Sequence, residues 1–219
     1  MQIGIVGAGY IGQAVARASL KAGHRVMLSN SRGARSLADL ATEIGVEVGS
    51  VEEAVAFGDI VLVAVPLKNY PALPAAPFAG KIVIDTGNYY PRRDGAIAAL
   101  DDQSTTTSEL LARQLTGAKI VKGFNAILAA QIVSDAKAAG TPGRRALPIA
   151  GDNGKAKQTV TVFLDSIGFD VVDLGPLAEG WRVERARPAY CIPMDKIRLQ
   201  ATIEKTSRTD FVPEGSWRV

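Results

Sequence analysis

Ile3-Gly4-Ile5-Val6-Gly7-Ala8-Gly9-Tyr10-Ile11-Gly12 is the stretch on which the fold of this chain turns. Residues 2–6 form an apolar, β-branched run of the kind buried on both faces of a parallel sheet. Gly7, Gly9 and Gly12 follow with GxGxxG spacing, and residues 13–22 have helical character. In the order strand, glycine loop, helix, each glycine has a physical task. Gly7 makes the tight turn, Gly9 lets a pyrophosphate reach the backbone, and Gly12 lets the helix pack close to the strand. The amides at the helix N-terminus then face the phosphates, where the helix dipole favours negative charge. A glycine-rich turn without a ligand is the plainer reading. Its place between a strand and a helix favours a dinucleotide site.

Residues 25–29 read as the second strand, and its end selects the cofactor. An NAD site usually places Asp or Glu about twenty residues beyond the glycines. This chain has Ser29-Asn30-Ser31-Arg32 there, with Arg35 one helical turn further on. A carboxylate would repel a 2′-phosphate, whereas Ser31 can donate to it and Arg32 can grip it bidentately. NADP is therefore favoured over NAD. The same residues also suit the cap of a helix running to residue 44.

Residues 60–65 are the clearest strand, ended by Pro66. Ligands of open α/β sheets lie at the carboxyl ends of the strands, so Val65 and Leu67 should border the nicotinamide half of the cofactor. A strand at 81–85 leads into Thr86-Gly87-Asn88-Tyr89-Tyr90-Pro91-Arg92-Arg93. Arg92 and Arg93 suit either an acidic substrate or a solvated loop. Further strands are expected at 46–48, 119–122, 146–150 and 170–174. Helices are expected at 51–57, 108–115, 128–139, 155–167 and 195–206, before a loose tail at 210–219. Strand and helix alternate throughout, which predicts an α/β fold built on a doubly wound parallel sheet. A domain boundary is expected near Asn125, dividing the chain into residues 1–125 and 126–219.

The composition is 47% hydrophobic and 21% charged, which suits a packed core. The excess of Lys and Arg over Asp and Glu, 25 − 22 = 3, is too mild to imply nucleic acid. Cys191 is the single cysteine, so neither an internal disulfide nor a multi-cysteine zinc site is expected. A strand starting at residue 2 leaves no room for a signal peptide, and the longest apolar run, 60–67, is far short of a membrane span. A soluble, cytoplasmic protein with no membrane partner is the expectation.

Candidates for acid–base work are few, and no catalytic residue is assigned. Asp85 ends a strand and could cap a turn. Lys122 could serve as a donor or pair with a surface carboxylate. Tyr89 or Tyr90 could donate from the substrate side. His24 falls in the connection before the second strand, facing away from the cofactor. No Ser-His-Asp or Tyr-xxx-Lys constellation is present, and no metal-ligand spacing.

Several pieces together resemble the coenzyme F-420-dependent NADP reductase family, which is itself similar to the N-terminal domain of pyrroline-5-carboxylate reductases. They are Gly7–Gly12, Ser29-Asn30-Ser31-Arg32, Val63-Ala64-Val65-Pro66, Asp85 with Asn88, Lys122-Gly123-Phe124-Asn125-Ala126-Ile127, Gly151-Asp152, and Gly168-Phe169 leading to Asp173-Leu174-Gly175-Pro176-Leu177. The resemblance implies a Rossmann-type sheet with a small α/β C-terminal part, and NADP as cofactor. It implies that Ala8, Gly9, Tyr10 and Ile11 contact the pyrophosphate and that Ser31 and Arg32 contact the 2′-phosphate. Arg35 or Ser36 falls where the family has a lysine. Val65, Leu67, Asn125 and Ala129 fall where the family surrounds the nicotinamide, and Asn30, Pro66 and Asn88 complete the candidate cofactor set. The implied activity is hydride transfer between NADPH and a small-molecule acceptor, coenzyme F-420 (an 8-hydroxy-5-deazaflavin) or a flavin-like ring. The implied assembly is a homodimer whose C-terminal part helps close the active site.

Two other readings stay open: an NADPH-dependent reductase of a small carbonyl or imine, and a non-catalytic NADP-binding sensor. The chain departs from the family pattern after Leu177, over residues 178–193. There Trp181, Arg182 and Tyr190 suit either a new pocket wall or packing of the dimer, with packing preferred.

Overall fold

The computed structural model describes residues 1–217. Eight strands form one sheet: β1 (Gln2–Val6), β2 (Arg25–Ser29), β3 (Glu47–Gly49), β4 (Ile60–Val63), β5 (Ile82–Asp85), β6 (Lys119–Lys122), β7 (Ala146–Gly151) and β8 (Asp170–Asp173). Their order is β3-β2-β1-β4-β5-β6-β7-β8. The accompanying α-helices are α1 (Tyr10–Lys21), α2 (Ala38–Ile44), α3 (Val51–Phe57), α4 (Pro91–Asp94), α5 (Ala98–Asp101), α6 (Thr107–Gln114), α7 (Ala129–Ser134), α8 (Gly154–Ser166) and α9 (Lys196–Lys205). The order reverses beside β1, and the crevice at that switch point is where a doubly wound sheet takes its ligand.

Side chains along β4 alternate between two cores, as the strand period requires. Ile60 and Leu62 join Ile3, Ile5, Leu28 and Phe163 on one face. Val61 and Val63 join Val6, Val83, Phe78 and Leu111 on the other. Capping boxes set the start of two helices: Ser50 with Glu53 on α3, and Thr106 with Glu109 on α6.

One strand direction departs from the expected all-parallel sheet. β7 lies antiparallel to β6, with Val121 opposite Gly151 and Lys122 opposite Ala150, and β8 runs parallel to β7. Parallel pairing needs a crossover that returns to the starting edge of the sheet. Here the chain leaving β6 passes through α7, packed beside α1, and the register then sets β7 running against β6. The boundary expected at residue 125 falls between β6 and α7, and the sheet continues across it.

Smaller differences concern element ends. The first helix begins at Tyr10, the helix expected to reach residue 139 stops at Ser134, and β4 stops at Val63. The expected loose tail is docked through residue 217: the Val212 N–H donates to the Ala186 carbonyl at 2.8 Å, and Trp217, 4% exposed, meets Tyr190 edge-on. Residues 218–219 of that tail lie outside the described residues. His24 sits at the amino edge, its Nε2 2.8 Å from Ser166 Oγ. Burial, together with the nearby chain-terminal amine, holds its pKa below the usual histidine value.

Candidate functional site

Gly9 caps α1 in extended backbone, with no side-chain hydrogen bond capping the helix among the described residues and no acidic residue in its first turn. The first amides of α1 are therefore free of intrahelical or side-chain acceptors, and the dipole adds positive potential there. The three glycines differ in what demands them. A Cβ on Gly7 would sit 2.3 Å from the Ala64 carbonyl oxygen, and one on Gly12 would sit 1.9 Å from the Gly7 carbonyl oxygen. A Cβ on Gly9 would meet nothing within 4 Å. Protein packing explains Gly7 and Gly12. The space above Gly9 suits a ligand backbone such as a pyrophosphate, so the residues present fit a dinucleotide.

That space opens into a cleft of about 680 Å³ at the carboxyl ends of β1, β4 and β5. Gly9, Tyr10, Ile11, Val65, Pro66 and Asn88 of the sequence-predicted set line it, together with Tyr90, Arg92 and Arg93. Tyr10 is 88% exposed on its rim. Asn125, 37 residues from Asn88, is brought against it. Asn88 Nδ2 donates to the Asn125 carbonyl at 2.9 Å, and Asn125 Nδ2 donates to Asn88 Oδ1 at 3.3 Å and to the Val183 carbonyl at 2.7 Å. Ala8 is half-buried and its carbonyl accepts from Gln13 Nε2. Ala129 opens α7 and packs on the core beside α1. Leu67 is a correction: the 3₁₀ turn Leu67–Ala72 after Pro66 carries its side chain into the core, 3% exposed, behind the cleft wall.

The loop after β2 is pinned to the glycine loop. Gly7 N–H donates to the Ser29 carbonyl at 2.9 Å, and Ser29 Oγ donates to the Ile5 carbonyl at 3.0 Å. Asn30 shapes the turn: Oδ1 accepts from the Arg32 amide at 2.8 Å, and Nδ2 donates to Ser36 Oγ at 2.9 Å. Ser31, Arg32 and Arg35 are exposed. Neither arginine has a carboxylate partner among the described residues. Two guanidiniums and a hydroxyl at the adenosine end suit an added phosphate. Arg32→Ala is expected to weaken NADPH binding by about 1–3 kcal/mol, the range for a lost charged hydrogen bond, while leaving NADH binding nearly unchanged. Titration calorimetry with both nucleotides checks this, and equal weakening of the two would remove the phosphate assignment.

Beneath the cleft lies a polar floor that the sequence only half disclosed. Lys122 is fully buried, and the one carboxylate it pairs with among the described residues, that of Glu184, is only partly exposed. Its Nζ donates to Thr107 Oγ1 at 2.8 Å, to the Gly87 carbonyl at 3.2 Å and to Ser108 Oγ at 3.3 Å, with Glu184 at 3.8 Å. Asp85 caps its turn by accepting from the Gly87 amide at 2.8 Å, and also accepts from Ser108 Oγ and the Tyr70 hydroxyl. Burial first, and then the Asp85 charge, push the Tyr70 hydroxyl pKa well up. Thr107, Ser108, Tyr70 and Glu184 were missed because nothing local in the sequence signals a contact across 77 residues.

Residues 178–193 supply both packing and a cleft backing. Trp181 is 6% exposed, with the guanidiniums of Arg182, Arg187 and Arg208 on its ring, so Trp181 and Arg182 pack within the chain itself. Tyr190 is also buried, yet its hydroxyl lies 2.9 Å from that of Tyr90 in the cleft lining. Burial raises the Tyr190 pKa far above the usual tyrosine value, so this hydroxyl stays protonated. Among the described residues no group of three or more His, Cys, Asp or Glu could hold a metal ion, and no helix is long and apolar enough to cross a membrane.

Residues 2–89 match the family model described as NADP oxidoreductase, coenzyme F-420-dependent. Over 198 residues the chain is 30% identical to Metalloreductase STEAP3 of Rattus norvegicus, covering 90% of this chain and 38% of that protein, so it spans well under half the length of that relative. A protein of Sinorhizobium meliloti superposes with a TM-score of 0.75 at 29% identity, over 90% of this chain and 95% of that one. One from an Arthrobacter species, provisionally described as an F-420-dependent NADP reductase, gives 0.70 at 27% identity, over 83% and 87%. The resemblance read from the sequence therefore holds: residues 2–89 match the model of the coenzyme F-420-dependent NADP oxidoreductase family, and the chain carries a Rossmann-type α/β fold.

Proposed function

We propose that this protein transfers a hydride between NADPH and a deazaflavin, coenzyme F-420, or a flavin-like ring. The observation that carries the reading is the make-up of the cleft. Val65, Pro66 and the rings of Tyr10 and Tyr90 offer flat apolar surface beyond the α1 N-terminus, and among the described residues no carboxylate, histidine or lysine lines it. Hydride transfer between two stacked rings needs position far more than acid–base help. Gly9 and the first amides of α1 would hold the pyrophosphate, Ser31 and Arg32 the 2′-phosphate. Val65, Pro66, Asn88 and Asn125 would border the nicotinamide, which supplies the hydride when the cofactor is bound. The family match and the likeness to a metalloreductase both support redox chemistry. A homodimer belongs to the same proposal, and a single-chain mass in sedimentation equilibrium would remove that part.

One observation favours a second reading, reduction of a small carbonyl or imine. Such an acceptor needs a proton donor. Tyr90, backed by the protonated Tyr190, is a hydroxyl in the cleft lining. A panel of acceptors separates the readings. Loss of NADPH absorbance with oxidised F-420 or a flavin, and none with pyrroline carboxylate or simple ketones, is the expected result. Turnover of imines or ketones alone would establish the second reading. Tight NADPH binding with no turnover across the panel would leave a sensor.

A further inference from the structure

Resting on the ring-acceptor reading above, we propose that the acceptor is an anion and that Arg92 receives its charged group at the outer rim of the cleft. Two separate cationic ends flank this cleft. The first follows β2, where Arg32 and Arg35 stand, and a 2′-phosphate accounts for it. The second follows β5, which is three strands away in the sheet order, roughly 14 Å at ordinary strand spacing. The 2′-phosphate cannot reach both ends and the amides of α1 are assigned to the pyrophosphate, so the charge at the second end is left for the other substrate.

At that second end the arginines are not equivalent. Arg93 is neutralised by Asp94 at 2.8 Å and tied to the Asn88 carbonyl at 2.9 Å. Arg185 is paired with Glu214. Between them they clasp the Tyr90 ring, their guanidinium carbons 4.6 and 5.0 Å from its centroid. Arg92 is exposed, lines the cleft, and has no hydrogen-bond or carboxylate partner among the described residues. Among the described residues, none lining the cleft carries negative charge. The geometry is that of a flat apolar slot with one uncommitted guanidinium at its mouth, positioned for a carboxylate or phosphate on a chain attached to the ring.

FMN and riboflavin test this cleanly, because they share one ring and differ in one phosphate. Their binding is read by flavin fluorescence on protein saturated with NADP⁺, so the phosphate sites of the cofactor are already filled. FMN should bind about tenfold or more tighter than riboflavin, the span of one charged hydrogen bond. The preference should shrink as salt rises. Arg92→Gln should bring the two flavins to within about twofold of each other, and Arg92→Lys should retain most of the preference. Equal binding of both flavins by the native protein overturns the inference, as does a preference that survives Arg92→Gln or failure of either flavin to bind. The underlying reading fails in a different way: Arg92-dependent FMN binding with no oxidation of NADPH by any ring acceptor would refute hydride transfer to a ring and leave the anion site standing.

Discussion

Replacing Lys122 by methionine should cost about 3–5 kcal/mol of stability, the range for breaking a buried ion pair by removing one partner. Methionine keeps the length of the side chain and its packing, so the loss isolates the ammonium. Without it, Thr107 Oγ1 and the Gly87 carbonyl lose a donor inside the protein, and Glu184 loses the nearest cation. For a chain of this size each kcal/mol lowers Tm by about 2–4 °C, so the melting point should fall by roughly 6–20 °C. Denaturant unfolding followed by circular dichroism gives the free energy directly. A loss below about 0.5 kcal/mol would mean that the floor beneath Gly87 holds without its charge. The double variant Lys122→Met with Glu184→Gln should recover part of the loss, because the two residues act as one unit.

The second large effect separates two glycines of the same motif. Gly9→Val should leave stability within about 1 kcal/mol, because the backbone there is extended and the Cβ enters open space. Its NADPH affinity should fall at least about a hundredfold, or roughly 2.7 kcal/mol, because the isopropyl group occupies the volume assigned to the pyrophosphate. Gly12→Val should do the reverse. Its Cβ would press on the Gly7 carbonyl oxygen at 1.9 Å and on Ile5 Cγ2 at 3.3 Å, so α1 has to leave the sheet and the fold is lost first. Thermal melts paired with calorimetric titration distinguish the two. Native-like NADPH binding by Gly9→Val would remove the pyrophosphate from the α1 N-terminus.

Much of the sheet was legible because its strands carry their burial in composition. β1, β4 and β5 read as continuous apolar runs, and the glycine spacing fixed where the first helix packs. The direction of β7 was not legible. An extended apolar run has the same period whichever way it points, and direction is decided by the path of residues 123–145 over the sheet edge. The burial of Lys122 was not legible for a related reason. Lys119 and Lys122 bracket the same short strand, but only the first is exposed. What buries the second is the segment Leu177–Val183, whose Gly180 lies so close that a Cβ there would sit 2.8 Å from Lys122 Cδ. That contact spans 58 residues and belongs to the stretch where the family pattern stops. Likewise Leu67 reads as a cleft residue from its place after β4, and only the turn that follows Pro66 sends it inward.

The reversal of β7 and β8 has a practical corollary. Because β7 pairs with β6 head to tail, its last residue, Gly151, lies opposite Val121, and the turn at Asp152 and Asn153 opens on the rim where β1–β6 begin. A fluorophore or affinity handle fixed at that turn would therefore travel with the rigid frame yet stay at the opposite end of the sheet from the cleft. It could report unfolding without ever competing for the cleft.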